Sequence, residues 1–312
     1  MTTNDEVLTA DQVEQFLDKG YVLLRECFTR EAAEQYTGSI WDRLGYEADD
    51  PSTWALPSVH MPAHQRIDIR TFAPKAWRAA CELVGGAERI STEQPYTWSD
   101  GFIVNLRQDA DRPWQPASNE SPGWHVDGNF FRHYLDSPEQ GLLTLVLWSD
   151  VEHQGGATFI ATDSVGPVTR FLAEHPGGLL PSPDPDDDTP VIPYADLARQ
   201  CTEFVEATGQ VGDVYLVHPF VLHAKSQNVL RRPRFITNST LILAEPMRFD
   251  RPEPGEHSLV ERAVLRALGV DRYDFTPAGP RTRLVSELSK THERMLAEER
   301  RRLAATGRTD GH

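Results

Sequence analysis

The triplet His125-Val126-Asp127, inside the stretch Gly123-Trp124-His125-Val126-Asp127-Gly128, sets an imidazole and a carboxylate two residues apart. In extended backbone, residues i and i+2 project to the same face, so the two side chains stand side by side. A second histidine from a distant strand would complete a 2-His-1-carboxylate facial triad, which leaves positions on Fe(II) open for substrate and O2. Triplets of this kind also arise by chance and bind nothing, so the third ligand has to be sought in the rest of the chain.

One downstream stretch offers it. From Gly212-Asp213 to Gln227-Asn228 the chain carries two histidines, His218 and His223, and Arg231-Arg232-Pro233-Arg234 follows. Arg234 opens the apolar run Phe235-Ile236. A guanidinium turned into the mouth of a barrel needs an anion, because an unpaired buried charge is too costly. A dicarboxylate cosubstrate would meet that need through a two-pronged hydrogen bond.

The elements around these residues read as short strands with helices at both ends. Thr9 followed by Gln12 is a capping box for a helix over Ala10–Lys19, and Gly20 supplies the stop. Tyr21–Arg25 reads as a buried strand. A second helix is expected from about Arg30 to Leu44, and a third over Ala76–Leu83, ending at Gly85-Gly86. Strands follow within Thr97–Arg107 and over Leu142–Trp148, Ala157–Ala161, Phe204–Ala207, Asp213–Val217 and Phe235–Leu243. Pro181–Pro190, with four aspartates, reads as an exposed acidic loop; its spacing does not match a calcium-binding EF-hand. Helices over Ser258–Leu268 and Arg281–Ala305 close the chain, the last with a solvated Glu/Arg face that could also form a homo-oligomer contact.

This order predicts a mainly β fold with flanking helices, a jelly roll of the cupin type. It is expected to be a single domain over 1–312: helices over about 8–90, the β core over about 95–245 and helices over about 256–305. A formal charge of −16 and a pI near 5.1 argue against nucleic acid or an anionic membrane as partner and favour a small-molecule substrate. Met1–Glu6 has neither the basic nor the apolar part of a leader, so a cytoplasmic protein is expected. Cys27, Cys81 and Cys201 are few and widely spaced, as reduced thiols are.

Taken together, Trp124-His125-Val126-Asp127, the Gly-Asp-x4-His of Gly212 to His218, His223 with Asn228 five residues on, and Arg232-Pro233-Arg234 resemble the phytanoyl-CoA dioxygenase family. Leu8–Val13 and Gly20–Leu24 resemble its N-terminal helix and strand, so the likeness spans roughly residues 8–245. The resemblance implies a double-stranded β-helix and an oxygenase dependent on Fe(II), 2-oxoglutarate and O2. It implies His125, Asp127 and His223 as iron ligands and Arg234 as the clasp on the distal carboxylate of 2-oxoglutarate. His218 is then a neighbouring packing residue. Trp148 would line the cosubstrate pocket or serve as a core aromatic, and Asn105 or Arg107 would touch cosubstrate or substrate. A carboxylate at Asp127 implies oxygen transfer rather than the halide transfer of relatives with a small residue there.

Two departures stand out. Lys225 replaces the small hydroxyl residue often found two places after the distal histidine, with Ser226 next, and Ala161-Thr162-Asp163-Ser164 replaces a Pro-Gly-Ser-His turn. His133 and His153 read as loop or surface residues. Two other readings use the same residues: a cupin-like metal-dependent hydrolase or isomerase, and a catalytically silent binding module.

Overall fold

The computed structural model describes residues 7–285 and 287–305; Met1–Glu6, read above for a leader, lies outside them. Eleven strands are present among the described residues: β1 (Tyr21–Leu24), β2 (Ser58–His60), β3 (Arg66–Asp68), β4 (Thr97–Ser99), β5 (Ile103–Asn105), β6 (Leu142–Leu147), β7 (Thr158–Ala161), β8 (Phe204–Ala207), β9 (Val214–Val217), β10 (His223–Lys225) and β11 (Arg234–Leu241). The larger sheet has the order β1-β9-β6-β11-β5-β2 and the smaller one β10-β7-β8, with β3 and β4 as a separate pair. Every pairing among these strands is antiparallel, and sequence-distant strands lie side by side, as in a jelly roll with helices around it.

Alternation along the central strands divides the interior into two layers. On β6, Leu143, Leu145 and Leu147 join Tyr215 and Val217 of β9 and Ile160 of β7 in one apolar cluster, between the sheets. Leu142 and Val146, with Val214 and Leu216, face the other way and pack with the N-terminal helices. All six residues of β6 are therefore buried, which explains its nearly continuous apolar run. Truncating one of its leucines to alanine would cost about 2–5 kcal/mol.

The helix Ala10–Lys19 has both halves of the expected capping box, and Gly20 ends it at φ 71. Ser258 and Glu261 form a second box at the head of Leu259–Leu268. The helix expected over Arg30–Leu44 breaks into Arg30–Thr37 and Ile40–Leu44 at Gly38-Ser39. The single strand sought within Thr97–Arg107 is likewise two, β4 and β5, in different sheets. A helix over Val165–Ala173 was not anticipated.

The last helix, Glu287–Ala305, begins later than expected, and its face is not wholly solvated. Glu299, 1% exposed, pairs with Arg43 at 2.8 Å, and Arg43 also pairs with Asp100 at 3.1 Å. His292 and the carbonyl of His60 are 3.0 Å apart, tying the same helix to β2. No described helix is long and apolar enough to cross a membrane.

Candidate active site

The two sheets bring the distant residues together. His125 bridges to His223 of β10, with His125 N donating to His223 O at 3.1 Å and His223 N to His125 O at 2.9 Å. Asp127 Oδ1 lies 3.5 Å from His125 Nε2 and 3.4 Å from His223 Nε2. The ligand atoms of all three residues fall within 4.8 Å of one another, the only such group of three or more His, Cys, Asp or Glu among the described residues.

Backbone contacts set how each ligand faces. His125 Nδ1 is 2.8 Å from Gly123 O, and His223 Nδ1 is 3.2 Å from Val221 O. A carbonyl only accepts, so each Nδ1 carries a proton, and each Nε2 is the atom turned toward Asp127, able to donate to the carboxylate when protonated and to offer a lone pair to a metal when not. His223 Nε2 is buried without a partner. The second oxygen of Asp127 accepts from Asn238 Nδ2 at 3.1 Å, which leaves Oδ1 for a metal. Burial acts to raise the pKa of Asp127, but the facing imidazoles of His223 and His125 outweigh it and hold the carboxyl well below its ordinary range. Burial opposes charge on His125, and the Asp127 carboxylate overcomes that and raises its pKa. Gly128 permits the turn after Asp127: it sits at φ +118, and a Cβ there would meet Phe131 and His133 at 2.5 and 2.8 Å. Two neutral imidazoles and one ionised carboxylate oxygen, oriented by their outer contacts, fit a divalent transition metal.

The triad opens into a cavity of about 390 Å³ that also contains Arg234, Lys225, His60, Asn238 and Tyr194. Arg234 is 2% exposed, and Nη1 donates to Ile103 O at 3.1 Å while Nε has no partner. No carboxylate pairs with it among the described residues, and burial alone lowers its pKa to about 9. A guanidinium held in this way fits an anion brought in from outside. Lys225 lines the same cavity, is exposed, and has no ion-pair partner among the described residues; Ser226 instead turns its hydroxyl to Gln227 O at 3.2 Å.

Several expectations need correction. Trp148 does not line the cavity: its Nε1 donates to Thr237 Oγ1 at 2.9 Å, on the opposite face of β11 from Arg234, and its ring packs among Phe28, Tyr36 and Phe102. Asn105 is also outside it, donating to Ser226 O at 3.2 Å and accepting from Gln108 N at 3.0 Å, so it braces the loop after β10. Arg107 donates to Trp54 O at 3.0 Å. His133 is buried rather than superficial. It stacks on Phe131 and lies 2.7 Å from Gly128 O, under the ligand loop, and burial lowers its pKa to about 4. His153 pairs with Glu206 at the surface, and His218 is a core residue.

The motif residues Asp213 and Asn228 have structural roles. Asp213 holds Arg25 and the amides of Glu26 and Gln210, joining β1 to β9. Asn228 donates to Asn105 O and Arg232 O. The cavity residues that sequence reading missed are His60, Asn238 and Tyr194. Asn238 carried a usable signal, because it stands four residues after Arg234 on the same strand and so faces the same side.

No protein-family model matches the chain, and no curated protein matches its sequence. Solved structures do resemble it. They include EctD from S. alaskensis with 2-oxoglutarate and 5-hydroxyectoine, at 17% identity over 78% of each chain and TM-score 0.40. The carbocyclase SnoK from nogalamycin biosynthesis, described as α-ketoglutarate-dependent and non-heme, is 13% identical over 79% of this chain and 89% of its own, TM-score 0.44. HygX from Streptomyces hygroscopicus, with nickel, 2-oxoglutarate and hygromycin B, is 14% identical over 74% and 86%, TM-score 0.42.

Proposed function

We propose that the chain is an Fe(II)- and 2-oxoglutarate-dependent dioxygenase that hydroxylates a small-molecule metabolite or natural-product intermediate. The observation that carries this is the pairing, in one cavity, of a convergent His-Asp-His group with a buried arginine that lacks an anion. A metal-dependent hydrolase would use the first, and would use the second only as a clamp on an anionic substrate.

In this reading, His125 Nε2, Asp127 Oδ1 and His223 Nε2 hold the iron, and Arg234 holds the distal carboxylate of 2-oxoglutarate. Bound there, iron and 2-oxoglutarate supply the oxidising power: substrate R–H, 2-oxoglutarate and O2 become R–OH, succinate and CO2. The chain supplies the geometry. Gly123 O and Val221 O keep both imidazoles in the metal-binding tautomer, and Asn238 holds the second oxygen of Asp127. Leu288 of the last helix contributes to the cavity wall. A volume of about 390 Å³ suits a small molecule.

Anaerobic addition of Fe(II) and 2-oxoglutarate should give a visible charge-transfer band, and O2 with a substrate should release succinate. His125→Ala and Asp127→Ala should each abolish the band; its survival in both would refute the ligand assignment. A wild type that shows no band and no succinate, but turns over with zinc, would sink the oxygenase reading.

A further inference from the structure

Four buried polar atoms on the cavity wall have no hydrogen-bond partner within the protein: His223 Nε2, Arg234 Nε, Asn238 Oδ1 and the Tyr194 hydroxyl. On the oxygenase reading the metal takes the first and the cosubstrate satisfies the second. The other two remain. A buried polar atom left unpaired forfeits its hydration without compensation, so two in one cavity call for a reason.

Chemistry fixes the orientation of Asn238. An ionised carboxylate only accepts, so the amide nitrogen must be the atom facing Asp127 Oδ2, and the oxygen is the atom left over. That oxygen can only accept. Tyr194 comes from another part of the chain, the short helix Tyr194–Ala198 after the acidic loop. Burial first, and the charge of Asp127 second, raise the pKa of its phenol, so it stays protonated and able to donate.

We propose that Asn238 and Tyr194 are the substrate-recognition pair. Asn238 Oδ1 accepts from a hydroxyl or N–H of the substrate, and Tyr194 donates to one of its oxygens. The substrate class is therefore a compact polar molecule with hydroxyl or amino groups close to the carbon that reacts, not an acyl chain. This rests on the oxygenase reading, and Asn238 has a second role beside it, positioning Asp127.

The first test needs no substrate. In the metal-free protein, Tyr194→Phe removes a hydroxyl that has no hydrogen-bond partner within the protein, so Tm should stay level or rise; a fall of about 3 °C or more would show a structural role and overturn the assignment. Asn238→Leu should weaken Ni(II) binding about 10- to 100-fold by calorimetry, while Tyr194→Phe leaves it unaltered. Unaltered Ni(II) binding in Asn238→Leu would remove the positioning role. The second test is a succinate-release screen of the iron-loaded enzyme over polyhydroxy and amino compounds on one side and acyl-CoA thioesters on the other. A hit among the polar compounds, with KM raised at least about tenfold and kcat changed less in Tyr194→Phe, supports the pair. A hit among the thioesters, or a polar hit indifferent to Tyr194→Phe, overturns it. The charge-transfer band of the wild type without substrate reports on the oxygenase reading alone, so the two failures are distinguishable.

Discussion

Arg43 and Arg234 are both almost sealed from water, at 1% and 2% exposure, yet their surroundings differ in kind. Arg43 meets Glu299, Asp100, Asp100 O and Pro62 O, so the chain itself provides its counter-charges and acceptors. Arg234 meets one carbonyl and no carboxylate among the described residues. The first arrangement locks the last helix against Ile40–Leu44; the second leaves a charge for a ligand to complete. Burial of a charge therefore says little about function until its partners are known.

The largest expected effect tests the structural side of that contrast. Arg43→Ala removes the guanidinium shared by two buried carboxylates, leaving Asp100 with the amides of His64 and Gln65 and Glu299 with the His64 imidazole, and should lower unfolding free energy by about 3 kcal/mol in guanidinium titrations. A loss below about 1 kcal/mol would mean that the network holds nothing together. Arg234→Met should do the reverse. Its stability should match or exceed wild type, while calorimetric affinity for 2-oxoglutarate in the presence of metal falls about 30- to 100-fold, near the value of a charged hydrogen bond. A destabilised Arg234→Met with intact affinity would erase the contrast.

Histidines extend it on a smaller scale. His218 is buried, with Nε2 3.2 Å from Val260 O and Nδ1 accepting from Phe220 N at 3.1 Å. Burial lowers its pKa from 6.5 to about 3, and protonating Nδ1 would set two donors against each other. Because the folded pKa lies below the unfolded one, the contribution is full above pH 6.5 and is lost as pH falls from there toward 3. This site should remove on the order of 2 kcal/mol between pH 6.5 and pH 5, and His218→Gln should flatten that slope in urea midpoints. The smallest effect is a control far from either arginine: Thr9→Ala removes one half of a capping box and should cost about 1 kcal/mol without altering 2-oxoglutarate affinity.

What could be read without the structure was whatever depends on neighbours in sequence. Thr9 and Gln12 predicted their helix because a capping box closes within one turn, and His125 and Asp127 predicted a shared face because a strand alternates. Trp148 shows where that reasoning stops. An aromatic on an apolar strand suits a pocket or a core equally, and only the orientation of β6 against β11 put it with Phe28, Tyr36 and Thr237. Asn105 went the same way, toward the loop after β10. Tyr194 left no local trace, since it reaches the cavity from a segment between β7 and β8 that follows no motif.

The sequence by itself determined the ligand types, the strand that carries Arg234 and the acidic charge balance, because these follow from residue identity and short-range periodicity. Tertiary structure alone decided that Arg43 is neutralised and Arg234 is not, and that Asn238 and Tyr194 line one cavity; it also brought His223, which the family resemblance already favoured over His218, to Asp127. Those outcomes depend on which elements lie side by side across long gaps in sequence, such as the 256 residues between Arg43 and Glu299. Hydrogen-bond partners and burial exist only once that packing is complete.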